Sequence, residues 1–394
     1  MANKWGYIPF EQAVEICDSL RKPINSKERA NRIANKKPSD LYPYYGATGQ
    51  VGFIDEYITD GEYVLLGEDG APFLNAFATK AYIITGKTWV NNHAHVLKAK
   101  GNNRFLCYYL NSINYKGLVS GTTRLKLTQG QMKQINIPAV PLPEQERIVT
   151  RIEELFSELD KAVETLQTTK QQLSVYRQAV LKEAFCEIPF SEYRPLREVM
   201  QNSPQNGLYK PKSDYGSGVR ILRIDGFYNG FISPTYDFKR LHVSQEEINR
   251  YSLKVNDLVV NRVNSMPYLG KCALVRKLDE TTVFESNMMR FRLNDEKANP
   301  KYVTYYLSSL LGKKELTKNA KQAVNQASIN QTDVGNALIP VPIDILHQKK
   351  VVEIIESRLS VCESIEQTVD TALAQADAMR QSILKQAFEG GFNQ

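Results

Sequence analysis

Histidine is scarce in this 394-residue chain: there are four, with five cysteines and two tryptophans. His93 and His95 have no accompanying Cys or carboxylate cluster, so a metal site is not expected there. The cysteines (Cys17, Cys107, Cys186, Cys272, Cys362) are odd in number, far apart and form no C-x-x-C pair. That argues against disulfides and a zinc site, and for a reducing, cytoplasmic setting. No apolar run approaches the length of a membrane span. "MANKWGYIPF" lacks an apolar core before a small-residue cleavage site, so no signal peptide is expected. There is no G-x-x-x-x-G-K-[ST], hence no P-loop ATP site. "GSGVRI" (Gly216–Ile221) has two glycines but lacks the third of a dinucleotide loop. No Pro-Pro dipeptide occurs, which removes the Asn/Asp-Pro-Pro-aromatic pocket with which amino-methyltransferases hold a flipped base. No spaced Asp…Glu-x-Lys set suggests a two-metal nuclease. A Ser–His–Asp triad stays open, although no G-x-S-x-G elbow is present. No cofactor and no catalytic residue is assigned to the chain.

What is present is a repeat. "YRQAVLKEAF" (Tyr176–Phe185) returns as "MRQSILKQAF" (Met379–Phe388), 203 positions later. The same shift aligns Gln145–Phe185 with Gln348–Phe388 without a gap. With slightly smaller shifts, "INIP" ending at Pro138 meets "ALIP" ending at Pro340, and "RFLCYYLNS" (Arg104–Ser112) meets "KYVTYYLSS" (Lys301–Ser309). The chain is therefore two copies of one plan, a globular half followed by a long segment. The duplicated Tyr-Tyr-Leu is read as core packing.

The long segments read as helices. Neither Pro nor Gly occurs between Pro143 and Pro189, or between Pro342 and Gly390. Pro143 suits a first helical position, Glu144 and Glu146 suit the positive end of the dipole, and Gly390-Gly391 is a natural stop. About 42 residues of helix would span roughly 60 Å. Apolar residues step four and three along the first: Ile148, Ile152, Leu155, Leu159, Ala162, Leu166, Thr169, Leu173, Tyr176, Val180. The second follows with Val351, Ile355, Arg358, Cys362, Ile365, Val369, Ala372, Ala376, Met379, Ile383. Only Thr169 and Arg358 break the pattern. A heptad sustained this long predicts a coiled coil, with the two helices paired antiparallel. The alternative is that each stripe packs on its own domain.

The expected fold class is α+β: two globular mixed α/β domains joined by two long antiparallel coiled-coil helices, with a pseudo-twofold internal repeat. The expected segments are 1–143 and 188–343 for the globular halves, and 144–187 and 344–394 for the helices. The total charge of +7 divides unevenly, as +6 and +7 on the globular halves and −3 on each helical segment. A phosphate backbone would be attracted by the halves and repelled by the helices.

Several loops are rich in groups that read base edges or hold phosphates. In the first half these are "KKPSDLYPYYGATGQ" (Lys36–Gln50), "GEDGAP" (Gly67–Pro72), "NNHAH" (Asn91–His95) and "SGTTRLKLT" (Ser120–Thr128). In the second they are "LYKPKSDYGSG" (Leu208–Gly218), "NRVNSMPYLGK" (Asn261–Lys271), "ESNMMR" (Glu285–Arg290) and "KNAKQAVNQASINQ" (Lys318–Gln331). Candidate DNA contacts in the first half are Lys36, Lys37, Tyr44, Tyr45, Thr48, Gln50, Asn91, Asn92, Thr122 and Arg124. In the second they are Lys210, Lys212, Tyr215, Asn261, Arg262, Asn264, Lys321, Gln322, Asn325 and Gln326. Ordinary solvated loop surface remains the bland reading of any one of them.

The sequence resembles the specificity subunits of Type I restriction–modification systems along essentially its whole length. "INIPAVPLPEQERIVTRIEELFSELD" (Ile135–Asp160) is similar to that family's central conserved region, and "ALIPVPIDILHQKKVVEIIESRL" (Ala337–Leu359) to its distal copy. "YYGATGQVGFIDEYI", "GEYVLLGEDG" and "AVNQASINQTDV" resemble recurrent blocks of its recognition domains. The distal copy departs from the pattern, with "PVPIDILHQ" where Pro-Leu-Pro-x-x-x-Gln is usual. The resemblance implies two target-recognition domains, each reading one part of a split double-stranded DNA target, with the paired helices as a ruler. It implies two modification (methyltransferase) subunits docked on the helices and restriction (translocase/endonuclease) subunits joining them. S-adenosylmethionine and ATP would be bound and used by those partners, with no membrane involved. Arg177, Gln178, Lys182, Arg380, Gln381 and Lys385 lie off the heptad stripe yet recur in both decapeptides, which makes them candidates for docking two copies of one partner. Capping of the helix ends by positive charge is the competing explanation. Two other classes remain: a coiled-coil scaffold whose basic heads bind protein, and a DNA-modifying enzyme with an unrecognised site.

Overall fold

The computed structural model describes residues 5–186, 192–233, 235–324, 326–342, 344–389 and 392. Gly390, Gly391, Asn325 and the boundary at 187–188 lie outside the described residues. Two compact units emerge. One holds residues 1–168 and 369–394, the other residues 169–368.

In the first unit, four antiparallel strands run in the order Val14–Ile16, Ala94–Ala99, Tyr63–Gly67, Ala81–Ile84. A second sheet runs Gly49–Ile54, Tyr42–Gly46, Lys87–Val90, Thr59–Asp60, with Tyr42–Gly46 and Lys87–Val90 parallel. "YVLLG" is a central strand, and its alternation serves two cores. Val64 and Leu66 face the main core around Phe105 and Tyr115, while Leu65 faces a smaller one with Ile84, Val90 and Val96. A strand buried on both faces is expected to read as a continuous apolar run. In the second unit, "DLVVN" (Asp257–Asn261) does the same within a six-stranded sheet: Leu258 and Val260 face one core and Val259 another.

The two long helices span Leu142–Cys186 and Ile345–Phe388, so their first residues are equivalent under the 203-residue shift. Their starts are also built alike despite the divergent sequence before the second. Gln145 accepts from the Asn102 amide at 2.9 Å and donates to the Val140 carbonyl at 2.8 Å. Gln348 accepts from the Asn299 amide at 2.8 Å and donates to the Pro342 carbonyl at 2.9 Å. Asn102 and Asn299 in turn cap the helices that carry the two Tyr-Tyr-Leu sequences.

Each unit pairs the beginning of one long helix with the end of the other, antiparallel. In the first, Ile148 and Ile152 share a core with Ile383, Leu384, Ala387 and Phe388, and Arg380 pairs with Asp160. In the second, Val180, Leu181 and Phe185 share a core with Val352, Ile355 and Leu359. There Arg177 pairs with Glu366, and Arg358 with Glu183, each at 2.8 Å.

The seam corrects the expected stripe at Ala162, Tyr176, Ile365 and Met379, which are exposed. Ile152, Leu159, Val180, Ile355, Cys362, Val369, Ala376 and Ile383 are buried as expected. Tyr176 is 45% exposed and Met379 53%, whereas Arg177 is only 8% exposed. At the first of these turns the buried face lies one residue further on, whereas at the second Arg380 is half-buried. Each helix end must also turn Leu181 and Phe185, or Leu384 and Phe388, under a globular half, and that rotates the seam away from Tyr176 and Met379.

Candidate nucleic-acid interface

In the first unit the four polar loops converge. The Asp69 backbone bridges Lys126, and Ser120 bridges the same residue, closing a short hairpin tipped by Thr122–Arg124. The Glu68 amide donates to the His93 carbonyl at 2.8 Å, and the Asn91 amide to the Tyr45 carbonyl at 3.1 Å. These long-range bonds bring "GATGQ", "GEDG", "NNHAH" and "SGTTRLK" side by side. Beneath the hairpin, His95 is buried, with Nδ1 2.8 Å from Asp18 and Nε2 3.0 Å from the Leu127 carbonyl. Burial works against ionisation of Asp18, but its bonds from His95, the Val96 amide and Gln129 outweigh that and hold its carboxyl below the ordinary value. Arg21 and Lys126 both pair with Glu68.

In the second unit the expected loops also meet. Val263–Asn264 pairs with Ala327–Ser328, which pairs with Lys321–Gln322, forming a small sheet. The Arg262 amide donates to Asn287 and its guanidinium to the Ser286 carbonyl, so "ESNMMR" joins the cluster. Leu208 bridges Glu285 and brings in the start of "LYKPK".

The expected contact residues divide by exposure. Lys36, Lys37, Thr48, Gln50, Asn92, Thr122, Arg124, Lys212, Lys321, Gln322 and Gln326 are exposed. Tyr45, Tyr215, Arg262 and Asn264 are half-buried. Lys210, also half-buried, is held by Glu247 at 2.9 Å, a bond that raises its pKa. Tyr44, Asn91 and Asn261 point into the fold instead. Tyr44 packs with Ile54 and Trp89, and Asn91 accepts from the His93 amide at 2.8 Å. Asn261 ends the central strand fully buried, and among the described residues its side chain has no hydrogen-bond partner. Polarity in a loop does not reveal which residues the adjoining strand turns inward.

Lys271 was not among the expected residues. Its ammonium lies 3.9 Å from the centre of the Tyr228 ring and 4.9 Å from that of Phe227. Burial pushes its pKa down to about 8, with Lys313 adding to the effect and Asp225 opposing it. Tyr209, Tyr228, Tyr268 and Val324 are exposed on this half. The aromatic residues within "LYKPK" and "MPYLGK" were the available signal, since aromatics in polar loops offer stacking surfaces.

The six docking candidates also divide. Arg177 is taken up by Glu366, and Gln178 by the Ser308 carbonyl and the Leu310 amide. Arg380 is paired with Asp160 and lies over the Phe156 ring, and Gln381 is half-buried. Lys182 and Lys385 are exposed. Among the described residues no group of three His, Cys, Asp or Glu could hold a metal ion, and no helix is long and apolar enough to cross a membrane.

The family model described as Type I restriction modification DNA specificity domain matches this chain twice, over residues 13–173 and 192–375. The chain belongs to that family. Among curated relatives, the Type I restriction enzyme EcoKI specificity subunit of Escherichia coli (strain K12) is 28% identical over 303 residues, covering 73% of this chain and 65% of the relative. A putative type I restriction enzyme specificity subunit of Haemophilus influenzae is 37% identical over 149 residues, 37% of this chain and 36% of the relative. The matched regions thus span less than two thirds of these relatives' own length. A solved chain described under "Structural basis underlying complex assembly and conformational transition of the type I R-M system" superposes with a TM-score of 0.65 at 18% identity, covering 98% of this chain and 97% of the other. At that identity the likeness speaks for the specificity-domain fold alone.

Proposed function

We propose that this chain is the non-catalytic, sequence-reading subunit of a Type I restriction–modification complex. Each globular half reads one part of a two-part double-stranded DNA target, and the paired helices set the spacing between the parts. The observation that carries the reading is the loop convergence found in each unit separately. Segments distant in sequence gather exposed amide, hydroxyl and guanidinium groups in the first unit, and exposed amide and ammonium groups in the second. Such groups suit base edges flanked by phosphates. Two modification subunits dock on the helices, with restriction subunits joining them. S-adenosylmethionine and ATP are used by those subunits, in the cytoplasm.

The test is binding of the full chain, assembled with its modification subunits, to duplex DNA over a salt series. The reading predicts steep weakening with salt, and no methyltransferase or nuclease activity from the chain alone. Salt-insensitive capture of protein without DNA binding would favour the scaffold, and activity of the isolated chain would favour an enzyme.

A further inference from the structure

Asp69 sits within the loop convergence of the first unit, an acidic residue on a surface otherwise suited to phosphates. Its Oδ1 accepts a hydrogen bond from Arg124 Nη2 at 2.8 Å. His93 Nδ1 lies 2.7 Å from the same oxygen, as a close contact without the alignment of a hydrogen bond. Asp69 is mostly covered, whereas the Arg124 side chain is 61% exposed. Among the described residues Arg124 has no other hydrogen-bond or ion-pair partner.

The backbone is shaped around this pair. Gly70 has φ +73°, a left-handed conformation, and a Cβ there would meet Arg124 Nε at 3.3 Å. Gly70 also donates its amide to the Leu125 carbonyl at 3.0 Å. Gly121, with φ +95°, allows the hairpin to close so tightly that a Cβ would collide with the Arg124 carbonyl. Both positions favour glycine. The hairpin therefore lays the guanidinium across Gly70 with Nη2 against Asp69, while the side chain as a whole stays mostly exposed.

A free arginine on a loop tip loses much side-chain entropy when it binds. One held by a carboxylate presents its fork already oriented. The pattern suited to a bidentate fork in the major groove is guanine, through O6 and N7. Nearby Glu68 is offset by Arg21 and Lys126, so Asp69 does not add to an uncompensated acidic patch. We propose that Arg124 reads a guanine in the part of the target served by the first half, and that Asp69 is its positioning residue. This rests on DNA reading by that half.

The experiment selects bound sequences from a random duplex library, using the full chain assembled with its modification subunits. It compares wild type, Arg124→Ala, Arg124→Lys, Asp69→Asn and Asp69→Ala. Arg124→Ala should lose about ten-fold or more of the preference for guanine at a single position of one half-site. Arg124→Lys should lose part of it. Asp69→Asn and Asp69→Ala should lower the preference several-fold at that same position, while binding to random DNA is unchanged or stronger because a negative charge has gone. Preference in the other half-site should persist in every variant, which reports an intact fold. If Arg124→Ala removes one guanine but both Asp69 variants keep it, positioning by Asp69 is wrong. If Arg124→Ala alters no position, or alters one that is not guanine, base reading by Arg124 is wrong. If wild type selects no sequence at all, the failure lies with DNA reading itself.

Discussion

Phe185 meets Tyr306 edge-on, with ring centroids 5.2 Å apart. In the other unit Phe388 meets Tyr109 at the same separation. Phe185 also touches Tyr302, and Phe388 touches Phe105, again at 5.2 Å. The ion pairs repeat as well: Arg104 with Glu153 in one unit, Lys301 with Glu356 in the other. Each copy of the decapeptide ends by wedging its phenylalanine under a globular half.

Phe185→Ala and Phe388→Ala should each cost about 3–5 kcal/mol, the range for removing a buried aromatic. Amide hydrogen exchange would check this: Phe185→Ala should raise exchange in the Tyr302–Leu307 segment first, and Phe388→Ala in the Phe105–Leu110 segment first. Equal loosening of both segments in either variant would mean the wedges do not act locally.

Arg177 and Lys182 should behave differently although both recur in the second decapeptide. Arg177→Ala removes a mostly buried pairing with Glu366. It should destabilise the helix pair by about 1–3 kcal/mol, less than a fully buried pair would lose because Glu366 keeps some solvent. Lys182→Glu and Lys385→Glu lie at exposed positions and should leave stability within about 0.5 kcal/mol. If these lysines dock modification subunits, native mass spectrometry should show one subunit lost per variant. Two subunits retained in both would place docking elsewhere.

Lys271 gives unit two a pH signature. Its folded pKa is about 8 against an ordinary value of 10.5. Between those values the unfolded chain holds a proton that the folded chain has released, so this group makes stability rise with pH across that window. Wild type should gain stability relative to Lys271→Met from about pH 8 to 10. Parallel pH profiles for the two proteins would show that Lys271 titrates normally.

Deleting one heptad from each helix in register, Ala162–Thr168 with Ile365–Thr371, removes about 10 Å of helix. If the pair is a ruler, the preferred spacing between the two target parts should shrink or their rotation change. An unchanged optimum in a spacing-variant library would remove the ruler from the account.

The sequence carried the helices and the duplication plainly, because local periodicity and gapless repetition are written along the chain. It did not carry the seam. Tyr176 and Arg177 are neighbours, and a four–three stripe can be laid through either; the burial of Leu181 and Phe185 decides it, and that depends on Tyr302 and Tyr306 more than 100 residues away. The loops were legible as polar and Arg124 as one of their exposed residues. Asp69 was not legible as its partner, since the bridge from Asp69 to Lys126 crosses 57 positions. Asn91 and Asn261 look like loop residues in sequence, but the strands beside them turn both inward.

Two-part reading is tested most directly by selecting duplexes from a random library with the full chain and its modification subunits. Selection is then repeated with Arg124→Ala and, separately, Gln326→Ala. The selected duplexes should carry two short motifs at a constant separation. Arg124→Ala should weaken preference, by about 1–3 kcal/mol at a read base, in one motif only, and Gln326→Ala in the other only. A single contiguous motif, or loss spread equally over both motifs and random DNA in each variant, would contradict two-part reading.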